Sequence, residues 1–127
     1  MKLILFIGIG GFFGAIARYA LSSATHAFFG GRAAGFPVGT LAVNLLGCLL
    51  LGFAVRCLSG RFPVIRELEL ALTVGFFGAF TTFSTYAYDT LLLAEQGRYA
   101  GMILNLLLSN GLGFLAVWGG WRLGALM

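Results

Sequence analysis

The chain has 127 residues, 60% of them hydrophobic and 9% charged, whereas soluble domains carry about a quarter charged residues. With a mean hydropathy of +0.99 it reads as a membrane protein with one domain, residues 1–127. The net charge of +4 comes from basic residues scattered singly over connections and termini, with no stripe or patch, which excludes a nucleic-acid partner. Apolar runs between charged or turn-forming breaks define four spans, each near the ~20 residues that cross a bilayer: Leu3 to Ala24, Val38 to Arg56, Leu68 to Leu93 and Tyr99 to Gly120. An all-α membrane protein of four transmembrane helices follows, with both termini on one side. The breaks "FFGGRAAGFP", "LSGRFPVIRE" and "AEQGR" each hold Gly or Pro and a charge, and read as short connections at the membrane surface.

The first span begins at Lys2 like a signal peptide, but it has no convincing small-residue cleavage site and Arg18 interrupts its apolar region, so it is read as retained. Its glycine-rich "GIGGFFG" follows no strand and opens no soluble helix, so a dinucleotide loop fails on context. Those glycines suit close helix approach in lipid. His26 falls in the first connection as a loop residue, with no Cys or carboxylate near it in sequence. Cys48 and Cys57, on or beside the second span, read as packing residues. Lys2, Arg56, Arg61, Arg66 and Arg122 lie on the side of the termini, Arg32 and Arg98 opposite. This bias is weak and permits insertion both ways round. No span carries a nucleophile with a base, paired carboxylates at mid-depth or a metal cluster, so the chain is not read as an enzyme.

The third span contains "GFFGAFTTFSTYAYD", in which Gly75 and Gly78 are followed by Thr81, Thr82, Ser84 and Thr85. An unbonded hydroxyl in hydrocarbon costs roughly 4–8 kcal/mol. One such residue can bond back to a carbonyl a turn earlier, but four together after two glycines predict a broken helix. A break frees carbonyls that bind a cation and a helix N-terminus that favours an anion, and unwound backbone survives at depth only in protein or along a watery path. Asn44 in the second span and Asn105, Ser109 and Asn110 in the fourth add neutral donors, Asn105 and Ser109 sharing a face. Phe83 and Tyr86 are also nearly aligned, and their ring edges carry partial positive charge. Amides, hydroxyls and ring edges suit a small anion, where a cation path would present carboxylates. Interhelical hydrogen bonding as glue is the alternative.

The blocks "GGFFGAIARY", "GTLAVNLLG", "GFFGAFTTFSTY" and "NLLLSNGLG" together resemble the Fluc (CrcB) fluoride channel family from the first helix to the fourth. The resemblance implies an antiparallel, dual-topology homodimer in the inner (plasma) membrane. It also implies two fluoride pores at the subunit interface, a structural sodium ion, and passive export that confers fluoride resistance. By position, Asn44 and Ser109 resemble polar pore residues and Phe83 the first pore phenylalanine. Gly78 and Thr81 resemble the residues whose carbonyls hold sodium, and Thr82, Ser84 and Thr85 complete the block. Two residues depart from the family pattern: Tyr86 stands where many members have a second Phe, and Asn105 where some have Tyr. Arg18 matches the family's first-helix Arg. On this reading a bulky β-branched residue at Gly78 distorts the break. The alternatives are a small four-helix proton-coupled multidrug antiporter, which needs a membrane-embedded carboxylate, and a scaffold without transport, which leaves the hydroxyl cluster unexplained.

Overall fold

The computed structural model describes residues 1–29, 35–58 and 66–127. Four helical segments are long and apolar enough to cross a membrane: Lys2–Phe29, Val38–Leu58, Arg66–Glu95 and Tyr99–Gly124. They contain the four expected spans and are longer than each of them. Helices α1 (Lys2–Phe29) and α2 (Val38–Leu58) are continuous. The third segment is built of α3 (Arg66–Leu70), a π-helical stretch (Ala71–Phe77), α4 (Gly78–Phe80) and α5 (Phe83–Glu95). The fourth runs through α6 (Tyr99–Leu107), a second π-helical stretch (Leu108–Leu112) and α7 (Gly113–Gly124). Periodicity at the sequence level did not show the two π stretches.

Helix α1 has 28 residues, about 42 Å at 1.5 Å per residue, and so exceeds a hydrocarbon core of about 30 Å. This length corrects the placement of His26, which lies in the last turn of α1. Nothing stops the helix before Gly30: Thr25 satisfies its own hydroxyl by donating Oγ1 to the Leu21 carbonyl at 2.7 Å, the back-bond that a helix tolerates. The first two connections fall mostly on residues outside those described. In the third, Gly97 has φ 70°. Its N–H bonds the Ala94 carbonyl and the Arg98 N–H the Leu93 carbonyl, both at 2.9 Å, a Schellman ending whose left-handed residue is best supplied by glycine.

Glycines decide how the spans pack. Gly10 and Gly14 face the first π stretch so closely that a Cβ on either would overlap the carbonyl oxygens of Ala71 and Phe76. Of the "GIGGFFG" glycines, these two make the close approach expected of small residues four apart in lipid, while a Cβ at Gly8 would meet nothing within 4 Å. A second seam joins α2 to α7, where a Cβ at Gly52 or Gly120 would overlap the carbonyls of Val117 and Leu49. The buried apolar core is small, comprising Val43, Ala71, Phe77, Phe80, Tyr86 and Leu93, while large apolar side chains such as Phe12, Phe13, Phe114 and Leu115 point outward. That inversion suits a solvent as apolar as the core, in which close packing replaces the hydrophobic effect between helices.

Candidate functional site

The third segment is interrupted by an extended pair, Thr81 (φ −80°, ψ 156°) and Thr82 (φ −145°, ψ 116°). The surrounding hydroxyls serve its two ends. Thr81 closes the end of α4, with both its N–H (3.0 Å) and its Oγ1 (2.9 Å) bonded to the Phe77 carbonyl. Thr82 is the N-cap of α5: its Oγ1 accepts the Thr85 N–H at 3.2 Å and donates to Thr85 Oγ1 at 2.9 Å. Ser84 Oγ lies 3.4 Å from the same Thr82 oxygen. Only Thr81 of the four bonds back one turn; the other three gather at the start of α5. The first two amides of α5, Phe83 and Ser84, have no helical acceptor, as at any helix start.

Asn44 of α2 clasps this pair. Its Oδ1 accepts the Thr82 N–H at 2.8 Å and its Nδ2 donates to the Thr82 carbonyl at 3.1 Å. The amide therefore replaces both backbone bonds that extended residue Thr82 lacks in a helix. A further consequence follows from i→i−4 geometry. The helical amide partner of the Gly78 carbonyl would be Thr82, and that of the Thr81 carbonyl would be Thr85, yet both amides bond to side chains, Asn44 and Thr82 respectively. The carbonyls of Gly78 and Thr81 are thus released from helical pairing. Gly78 itself is helical (φ −63°, ψ −33°) and exposed, and a Cβ there would meet nothing within 4 Å of the protomer. The expectation that a side chain at Gly78 distorts the break finds no clash within the protomer.

Two clefts meet at Thr82. The first, about 550 Å³, is walled by Arg18, Ser22 and His26 of α1, Thr40 and Val43 of α2, and Thr82 and Thr85. Arg18, Ser22 and His26 are four apart and share one helix face, and Arg18 has no hydrogen bond or ion pair among the described residues. The second, about 240 Å³, is lined by Asn44, Cys48, Leu51, Thr81, Thr82, Phe83, Tyr86, Ser109 and Asn110. Among the described residues no charged side chain reaches its wall. Phe83 and Tyr86 rings are tilted at 57° with centroids 5.6 Å apart, but Phe83 is 78% exposed and Tyr86 only 8%.

Of the residues expected at a site, Asn44, Thr81, Thr82, Phe83, Tyr86 and Ser109 line the second cleft, and Thr82 and Thr85 the first. Ser84 and Asn105 line neither. Asn105 is 2% exposed and bonded at both ends of its amide: Nδ2 donates to Thr90 Oγ1 at 2.8 Å, and Oδ1 accepts from the Ser109 hydroxyl at 3.4 Å. Thr90 Oγ1 in turn donates to the Tyr86 carbonyl at 2.7 Å. Asn105 therefore ties α6 to α5 and orients Ser109. Reasoning from the sequence missed Thr40 and Asp89, whose carboxylate accepts the Thr40 hydroxyl at 2.6 Å, since nothing local links positions 49 residues apart. It counted Asn110 among the neutral donors of the fourth span but did not place it at the site, whose second cleft it lines.

A family model described as CrcB-like protein, Camphor Resistance (CrcB), matches residues 5–121. The chain is 45% identical to a Methanocaldococcus jannaschii protein named fluoride-specific ion channel FluC, over 84% of this chain and 81% of that one. Proteins of the same name are 42% identical in Geobacter sulfurreducens, over 94% of each chain, and 39% identical in Maridesulfovibrio salexigens, over 100% of this chain and 98% of that one.

Proposed function

Because the chain belongs to the CrcB-like family, we propose that it is a fluoride-selective channel, not an enzyme, and that it lets fluoride leave the cell passively as an antiparallel, dual-topology homodimer in the inner (plasma) membrane. The second cleft carries this reading: at mid-span it offers amide, hydroxyl and ring-edge donors from Asn44, Tyr86 and Phe83, with the Ser109 hydroxyl beside them and no charged group among its lining residues. A small anion is a strong acceptor and gains from such donors in a low dielectric, without the tight hold that a fixed cation would impose on a permeating ion. The helix start at Phe83 adds its partial positive charge. In this reading Thr82, Ser84 and Thr85 continue the donor path and Asn105 positions Ser109.

The extended pair is the functional break of the third helix. Phe83, Ser84, Thr85 and Gly78 are exposed on the protomer, and a second copy inserted the opposite way would cover these groups, which lipid serves badly. A structural sodium ion fits the same region. The released carbonyls of Gly78 and Thr81 are hard oxygen donors, and two copies related by a twofold axis would supply four of them. When bound, the ion supplies a fixed positive charge near the pores. A proton-coupled antiporter is not favoured, since the carboxylate of Asp89 in the third segment is taken up by the Thr40 hydroxyl and lines neither large cleft.

Efflux from liposomes reconstituted with the purified protein tests the reading. Fluoride is expected to leave down its gradient while chloride stays; equal flux of both, or fluoride flux only with an opposing proton gradient, rejects it. Cross-linking in membranes is expected to join oppositely inserted subunits. Prolonged replacement of sodium by a large organic cation is expected to lower fluoride flux, and an undiminished rate rejects the structural ion.

A further inference from the structure

The phenol of Tyr86 is held in a way that commits its oxygen but not its proton. Asn110 Nδ2 lies 2.8 Å from Tyr86 Oη and 2.8 Å from the Leu106 carbonyl oxygen. A carbonyl only accepts, so the Leu106 contact identifies that corner of the Asn110 amide as its nitrogen. The Tyr86 oxygen must then accept from Asn110, and the phenol proton is left to donate elsewhere. No acceptor for it exists among the described residues, although Tyr86 is 92% buried (8% exposed) and lines the second cleft. Buried donors are nearly always paired, which makes this one an exception that calls for a partner in the cleft. Asn44 is in a similar state: one Nδ2 proton goes to the Thr82 carbonyl, and the amide has a second.

We infer that the Tyr86 hydroxyl, aimed by Asn110, donates its proton to the anion held in the second cleft and favours small, strongly accepting anions over larger, weaker acceptors. The inference rests on the channel reading above and deepens it. Where many members of the resembled family have a phenylalanine, a ring edge offers only a weak C–H contact, whereas a phenol O–H makes a full hydrogen bond to an anion. Asn110 is a positioning residue: its bond to the Tyr86 oxygen turns the phenol proton away from the second π stretch, leaving the cleft that Tyr86 lines as its outlet. The second π stretch, Leu108–Leu112, contains both Ser109 and Asn110. Such widened turns recur at functional sites because they re-aim side chains.

Three substitutions in the full-length protein, reconstituted in liposomes, test the pair by the dependence of flux on fluoride concentration. Tyr86→Phe keeps the ring and removes the donor; the half-saturating fluoride concentration is expected to rise about tenfold, as for loss of one hydrogen bond to a charged group. Asn110→Leu is expected to shift it the same way by less, and to add nothing in the Tyr86→Phe background. Replacing Tyr86 by a ring-fluorinated tyrosine, whose more acidic hydroxyl donates more strongly, is expected to lower the half-saturating concentration at unchanged fold. Wild-type half-saturation in Tyr86→Phe, or an Asn110→Leu effect that persists undiminished without the phenol, overturns the inference while leaving a conducting wild type, and hence the channel reading, intact. A wild-type protein that passes no fluoride overturns both.

Discussion

The α1 seam and the Asn44 crossing both bring another helix against the main chain of the third segment, and they do so by opposite means. At the seam, Gly10 and Gly14 set backbone against the carbonyls of Ala71 and Phe76, with no room for even one more carbon. The contact is dispersion between closely fitted surfaces, and every carbonyl involved lies in a helix that already pairs it. At the crossing, an amide side chain bonds both polar groups of an extended residue, and pairing is incomplete: the carbonyls of Gly78 and Thr81, the first amides of α5 and the Tyr86 proton have no fixed partner among the described residues. The seam supplies rigidity. The crossing leaves unused polar groups within the third apolar segment, and these are the groups that the proposed channel reading assigns to a ligand.

Crowding the seam is expected to give the largest effect. Gly14→Val drives a side chain into the Phe76 carbonyl, and a loss of about 3 kcal/mol or more follows from such overpacking. It is checked as loss of monodisperse protein after detergent extraction. Gly8→Val, whose Cβ meets nothing within 4 Å, is expected to extract like wild type. Normal yield from Gly14→Val would mean that the seam is not the rigid element.

The crossing is expected to respond in flux before it responds in fold. Asn44→Asp retains an acceptor for the Thr82 N–H but loses the donor to its carbonyl, and it adds negative charge to a cleft that has none. Fluoride efflux is expected to fall by about 100-fold, near 2.7 kcal/mol, with the size-exclusion profile kept. Phe83→Ile is expected to cost comparable flux at little cost in stability, because Phe83 is 78% exposed and outside the protomer core. If either variant loses its assembly together with its flux, that side chain belongs with the seam and not with the site.

Smaller effects separate the two ends of the extended pair. Thr82→Ala removes the N-cap of α5 and is expected to cost about 1 kcal/mol, seen as a lowered melting temperature, while Thr82→Ser retains it. Thr81→Ser keeps the hydroxyl that bonds the Phe77 carbonyl and is expected to stay within about 0.5 kcal/mol of wild type. A large loss from Thr81→Ser would assign a role to its methyl group, which packs toward Gly47.

Much of this molecule was legible from residue order alone. Four spans, the close approach of Gly10 and Gly14, and a cluster of chemistry between Gly75 and Asp89 all depend on local pattern: apolar run length against bilayer thickness, small residues one turn apart, and hydroxyls where a helix should have none. The motif blocks carried the family as well. What residue order could not supply were pairings between spans. That Asn44 serves the main chain of Thr82, that Asn105 reaches Thr90 and that Asn110 turns the Tyr86 hydroxyl depend on how helices cross and on two π stretches that shift side chains around their axis. An asparagine in an apolar run announces only that a partner exists, because the cost of an unpaired amide is the same wherever the partner lies. Which partner it finds is set by interhelical geometry, and the glycine seams decide that geometry by how near they let the backbones come.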